Sequence, residues 1–240
     1  MPVKDLCIKI ARCTQLGVFP CDKIASVQSN CILKQMPEPW NGHLATAEIM
    51  FIGSNPSIDF DEYFPNIGWD NDDIYDFFED RFKNGKIVKS TGKKASVRYW
   101  NSLKKYIIWI HQALQSASLS EEMTIDENIV RSLIPNIVST EIVHCKSKGE
   151  YGVSECQKVC FDKWMDKIFS EFKNGHGKYV ILLGKKAHSF EKKIQSFPST
   201  QGIRIIKLPH PSARVSNKRR IIQIRQAFAP INSSKSSSQP

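Results

Sequence analysis

Two short segments hold residue types able to do chemistry: Gly53-Ser54-Asn55-Pro56-Ser57 and Pro209-His210-Pro211-Ser212. The first exposes a side-chain amide at a rigid turn. An Asn there can hold a water with its carbonyl and a second partner with its NH₂. The second fixes an imidazole between two prolines, where it can stabilise an anion forming opposite it. Each pattern alone also describes an ordinary turn. Their weight comes from what precedes them, because each follows directly on a short apolar run.

Four such runs read as buried strands: 47–52, 137–143, 179–183 and 203–208. Helical stretches separate them, at 97–115, from Ser154 as a cap to about Phe172, at 185–195, and at 216–228. Strands alternating with helices predict an α/β fold, a three-layer α/β/α sandwich around a central, mainly parallel four-stranded sheet. Ligands in such folds sit outside the carboxyl ends of the strands. The Asn55 and His210 segments should therefore share one cleft. Residues 1–229 read as a single domain that opens with a helix-capable, cysteine-bearing segment at 1–36. Residues 37–42 read as a loop, 58–82 as an acidic and aromatic stretch, and 83–96 as a basic loop. The Ser-, Pro- and Lys-rich residues 230–240 read as a disordered tail.

The composition narrows the partner. The chain of 240 residues carries a net charge of +10 and an isoelectric point near 9.2, which favours a polyanion. No apolar run approaches the roughly 20 residues of a membrane helix, and the opening Met1-Pro2-Val3-Lys4-Asp5 does not begin a signal peptide. A soluble, intracellular monomer without membrane partners is expected. No Gly-x-Gly-x-x-Gly or Gly-x₄-Gly-Lys-Ser/Thr loop follows any strand, which disfavours a nucleotide-binding protein. Seven cysteines in two groups are too sparse for a secreted disulfide scaffold.

Together the motifs resemble the uracil-DNA glycosylase superfamily. Gly53-Ser54-Asn55-Pro56 is similar to its first motif at the end of the first strand, and His210-Pro211-Ser212 to its second at the end of the last. Thr140-Glu141-Ile142-Val143-His144-Cys145-Lys146 is similar to a Thr-Asn-Val-Val-Lys-Cys-Arg segment of the iron–sulfur branch. The resemblance implies a DNA glycosylase that flips a nucleotide into a pocket and breaks its glycosidic bond in a dissociative step. Asn55 matches the position that orients the attacking water, and His210 the position that hydrogen-bonds the departing base at O2. Gly53 and Ser54 would border the base. Phe64 lies near the aromatic that stacks on it, with Phe60, Tyr63 and Trp69 competing for that place. Arg214 falls at the wedge position that fills the vacated space in DNA. Ser57, Ser212, Lys218, Arg219 and Arg220 suit phosphate contacts. No lysine falls at a motif position, so a monofunctional enzyme without a Schiff base is expected.

Two departures matter. Uracil-reading members carry Asn after the conserved Thr; here Glu141 stands there. An ionised Glu can accept from the N4 amino group of cytosine but repels uracil O4, whereas a protonated Glu pairs with either base. A cytosine-type base becomes a candidate. A modified cytosine, as found in some virus genomes, avoids the toxicity of excising the normal base and implies antiviral defence. The alternatives are a conventional uracil glycosylase of base-excision repair and an inactive DNA-binding relative. The second departure concerns metal. The chemistry itself needs no cofactor. Cys145 matches one ligand of the family's [4Fe-4S] cluster, and Cys160, or Cys156, a second. The usual N-terminal Cys-x-x-Cys pair is missing, which leaves Cys13 and Cys21 to complete a cluster. Reduced free thiols are the other reading.

Overall fold

The apolar runs alternate between two burial environments, and this alternation builds the layers. Along Ile49–Gly53, Met50 and Ile52 enter one core and Phe51 the other. Along Tyr179–Leu183, Val180 and Leu182 face the first and Ile181 and Leu183 the second. A strand buried on both faces must carry helices on both sides. The computed structural model describes residues 1–30, 34–81, 86–96, 98–115, 119 and 125–229. Cys31, Phe82 and the predicted tail 230–240 lie outside them.

In chain order the strands are β1 (Asn41–Gly42), β2 (Ile49–Gly53), β3 (Lys86–Val88), β4 (Lys94–Ser96), β5 (Ile137–Glu141), β6 (Tyr179–Leu183) and β7 (Arg204–Leu208). The helices are α1 (Val3–Ala11), α2 (Asp22–Ser26), α3 (Asn71–Asp80), α4 (Arg98–Leu114), α5 (Glu127–Leu133), α6 (Val153–Asn174), α7 (Gly184–Ser189), α8 (Glu191–Gln195) and α9 (Asn217–Phe228). The main sheet runs β1-β5-β2-β6-β7. Its four long strands are parallel, as expected, and in register from Gly53 opposite Glu141 to Leu183 opposite Leu208. The expected sheet of four gains a fifth, the two-residue β1, which pairs antiparallel with β5. Residues 37–42, read as a loop, thus protect a sheet edge.

Further differences from the expected elements are local. The basic stretch 83–96 contains an antiparallel hairpin, β3 with β4. Helix α6 is capped by Gly152 at φ 75° rather than by Ser154, whose hydroxyl donates to Glu155 instead. A Cβ on Gly152 would stand 2.6 Å from the backbone nitrogen of Ile24, so this glycine is what lets α2 lie against α6. Residues 185–195 form two short helices, α7 and α8, separated at Phe190. Among the described residues no helix is long and apolar enough to cross a membrane.

Candidate active site

The sheet places Ser54-Asn55, Glu141, Gly184 and His210 at or just past the carboxyl ends of β2, β5, β6 and β7. A cavity of about 1100 Å³ opens there, lined by Ser54, Asn55, Ser57, Glu141, His210 and Ser212 among others. The two chemistry-bearing segments do share one cleft.

Asn55 is oriented by its own turn. Its amide donates from Nδ2 to the Pro56 carbonyl at 3.0 Å, which leaves Oδ1 as an acceptor. His210 is oriented by its own loop. The Ser212 backbone N–H donates to Nδ1 at 3.2 Å, so the neutral ring carries its proton on Nε2. Burial holds the imidazole below its ordinary pKa; Arg220 pushes the same way and Glu150 opposes. The loop is braced from two helices: the Tyr106 hydroxyl of α4 donates to Pro209 O at 2.9 Å, and Arg220 Nη2 of α9 donates to Ala213 O at 2.7 Å. The Tyr99 ring lies 5.6 Å from the His210 ring.

Glu141 turns its carboxyl over Gly53, the residue paired with it across β5 and β2. Burial raises its pKa well above the carboxylate range, and Glu38 and Glu150 add to the rise. Burial therefore favours the protonated form of this carboxyl. Deeper in the cavity stand Glu38, Asn41, Glu62, Arg81 and Tyr99. Arg81 pairs with Glu62 at 2.7 Å and Glu38 at 3.3 Å, and Lys146, fully buried, pairs with Glu62 at 2.7 Å. Among the described residues, Asn41 Oδ1 and Arg81 Nε have no hydrogen-bond partner. None of Glu38, Asn41 and Arg81 was singled out by sequence reasoning. Neither was Glu150, whose only signal was its place between Gly149 and Gly152 after a strand.

A family model described as the uracil DNA glycosylase superfamily matches residues 39–233. The chain belongs to that superfamily. No curated protein matches it. In this superfamily member the expected site residues separate into two groups. Gly53, Ser54, Asn55, Glu141 and His210 meet at the cavity. Ser57, Ser212, Arg214, Lys218 and Arg219 stand around its mouth and along α9, none of them buried.

Two expected residues lie elsewhere. Arg220 is not on the phosphate-facing surface: it is 6% exposed, sits over the Tyr106 ring at 5.4 Å and braces the His210 loop through Ala213. The 3.6-residue period turns it inward while Lys218 and Arg219 point out. Phe64 does not line the cavity. It packs edge-on against Phe77 and Phe78, with Lys146 Nζ 3.7 Å and Arg81 4.7 Å from its ring centre. Of the four aromatics weighed for that place, Phe60 lines the cavity and is 40% exposed.

The thiols Cys13, Cys21, Cys145 and Cys160 act electrostatically on one another, with Cys156 among them. The His144 backbone N–H points at Cys160 Sγ at 3.5 Å, and Lys163 Nζ lies 3.7 Å from Cys13 Sγ. Cys21 is hydrogen-bonded to Cys156, which lowers its pKa to about 7. Among the described residues no group of three or more His, Cys, Asp or Glu could hold a metal ion.

Proposed function

We propose that this chain is a monofunctional DNA glycosylase acting on a pyrimidine that carries a polar substituent, a modified cytosine in the first instance. The depth of the cavity carries this reading. Its volume of about 1100 Å³ exceeds the roughly 300–1,000 Å³ of common ligand pockets. Two buried atoms of its lining residues, the acceptor Asn41 Oδ1 and the donor Arg81 Nε, have no hydrogen-bond partner among the described residues. Buried polar atoms of this kind demand an explanation. A substituent with hydroxyl groups, reaching past Glu141, satisfies both.

The reaction follows from the geometry. A nucleotide flips into the cavity and the glycosidic bond breaks, its electron pair leaving with the base. The Nε2–H of His210 faces the O2 of that base and stabilises its developing charge. Asn55 Oδ1 holds the water that attacks the sugar cation at C1′. The water loses one proton, the departing base gains one, and an abasic site remains. Glu141 meets the N3 and N4 edge of the base. A modified base of this kind would direct the enzyme to foreign DNA, in defence rather than repair. A bound cluster, held by Cys13, Cys21, Cys145 and Cys160, would tie the N-terminal segment to α6 and supply no chemistry at C1′.

A second reading has its own support. The protonated Glu141 carboxyl presents an O–H and a C=O, the same donor and acceptor pair as an Asn amide. That pattern suits uracil. Base release from matched oligonucleotides, single- and double-stranded, separates the two. The bases are uracil, cytosine, 5-methyl-, 5-hydroxymethyl- and glucosylated hydroxymethylcytosine, with alkaline cleavage as the readout. Cleavage at a cytosine derivative supports the first reading, cleavage at uracil alone the second. No cleavage with DNA binding retained favours an inactive DNA-binding relative or a base outside the panel.

A further inference from the structure

A dissociative cleavage develops charge of both signs. His210 faces the negative side, on the base. The positive side, on the sugar, has no counterpart in the first motif, because Asn55 is neutral. The cavity wall holds an anion suited to that place.

Glu150 lies in the loop between β5 and α6 and lines the same cavity as Asn55 and His210. Its φ of 62° puts it in the left-handed region, between Gly149 at 59° and Gly152 at 75°. A non-glycine residue held there at a cavity wall is the kind of outlier that marks functional sites. The loop is tied to the first motif. The Ser147 N–H donates to Pro56 O at 3.0 Å, and the Ser147 hydroxyl donates to Tyr151 O at 2.8 Å. The Glu150 carboxylate accepts from Ser54, the neighbour of Asn55, and pairs with Lys186 Nζ of α7 at 2.7 Å. These contacts keep it ionised, below the usual carboxylate range.

Apart from Asp61, which also lines the cavity, the other carboxylates there have neighbours of their own. Glu38 and Glu62 pair with Arg81, and Asp59 pairs with Lys89. Glu141 is buried, which favours its protonated form. Glu150 is thus the ionised carboxylate attached to the first motif.

We propose that Glu150 is a catalytic residue, the fixed anion that faces the deoxyribose as positive charge develops at C1′. Its exposure at the cavity mouth, 46% for the side chain, puts it at the depth of the sugar rather than of the base. Lys186 is as exposed, at 44%, so a DNA phosphate can draw it away and leave the carboxylate uncompensated. The proposal rests on the glycosylase reading, but its test does not require base release.

The test measures binding of the full chain to DNA holding either of two abasic analogues, a pyrrolidine that is cationic at neutral pH and a neutral tetrahydrofuran. The wild-type protein is expected to prefer the pyrrolidine DNA by about tenfold, the scale of one close charge pair near a surface. Glu150→Gln is expected to lose the preference while binding the tetrahydrofuran DNA as well or better. Glu150→Asp is expected to keep part of it, and Lys186→Met all of it. An intact preference in Glu150→Gln overturns the proposal. So does a wild-type protein without the preference, a result that needs no variant to fold. A preference that depends on Glu150, together with no release of any base, supports the proposal while the catalytic reading fails.

Discussion

The Glu141 carboxyl occupies the space where a side chain on Gly53 would have to be. A Cβ on Gly53 would stand 2.2 Å from Glu141 Oε2, and the two residues are partners across β2 and β5. The base-reading group and the start of the first motif therefore fit together only because one of them has no side chain. Gly53→Ala forces Glu141 out of its place. Because the clash is with the end of a flexible side chain, the variant is expected to stay folded while the Glu141 carboxyl moves and base preference changes. Denaturant unfolding together with the oligonucleotide panel checks both.

Asn55→Ala and His210→Ala are each expected to lower the rate of base release by roughly 10²–10³-fold. Among the described residues both side chains hydrogen-bond within their own loops, so thermal unfolding should move little. Single-turnover kinetics at saturating enzyme reads the rate. A fall of less than about threefold in either variant removes that residue from the mechanism.

The proton on Glu141 gives stability a pH dependence. Its folded pKa is raised above its ordinary 4.5, so its contribution is fully present below that value and is lost as pH rises through the folded pKa. Glu141→Gln mimics the protonated form and carries no such loss. Relative to wild type, this variant should gain stability as pH rises above the ordinary carboxyl value of 4.5. Equal stability across that range would mean the carboxyl is ionised throughout. His210 behaves in the opposite sense. Its pKa lies below 6.5, so the ring remains neutral at pH 7 and base release should not fall as pH drops from 7 to 6.5.

Lys218 and Arg219 face out from α9 and Arg220 faces in. Replacing both outward residues with Ala should weaken DNA binding at every sequence. It should also reduce the slope of log K against log salt by about 1.8, roughly 0.9 for each duplex phosphate that is no longer neutralised. Arg220→Ala should leave that slope unchanged and lower the melting temperature, because it removes a charged hydrogen bond to Ala213 O.

If Cys13, Cys21, Cys145 and Cys160 hold a cluster, protein purified without oxygen should be brown, with broad absorbance near the visible blue. Cys145→Ser should bleach it, and iron analysis should fall in step. A colourless wild-type protein without iron assigns the residues as reduced thiols, mostly buried.

Asn55 and His210 were legible because each sits at the end of an apolar strand, and parallel topology brings such ends together whatever the loops do. Phe64 was misplaced because the stretch 58–82 is rich in aromatics, and its pattern does not reveal which ring is inward. The deciding feature is the Arg81–Glu62–Lys146 cluster that covers Phe64, and this joins residues far apart in sequence. Strand β1 was unreadable for a similar reason: two residues carry no period, and only the free edge of β5 makes them a strand. Glu150 is chemically silent in the sequence, a surface-type residue between glycines. Its meaning depends on a backbone angle and on Lys186, which lies beyond the whole of α6 and β6.

Helix α9 holds the phosphate-facing pair Lys218 and Arg219 next to Arg220, which grips the carbonyl of Ala213 in the loop that carries His210. The helix is thus a lever whose load and fulcrum are adjacent residues. A load on the outer face of α9 would therefore reach the His210 loop through Arg220 as well as through the chain that joins helix and loop.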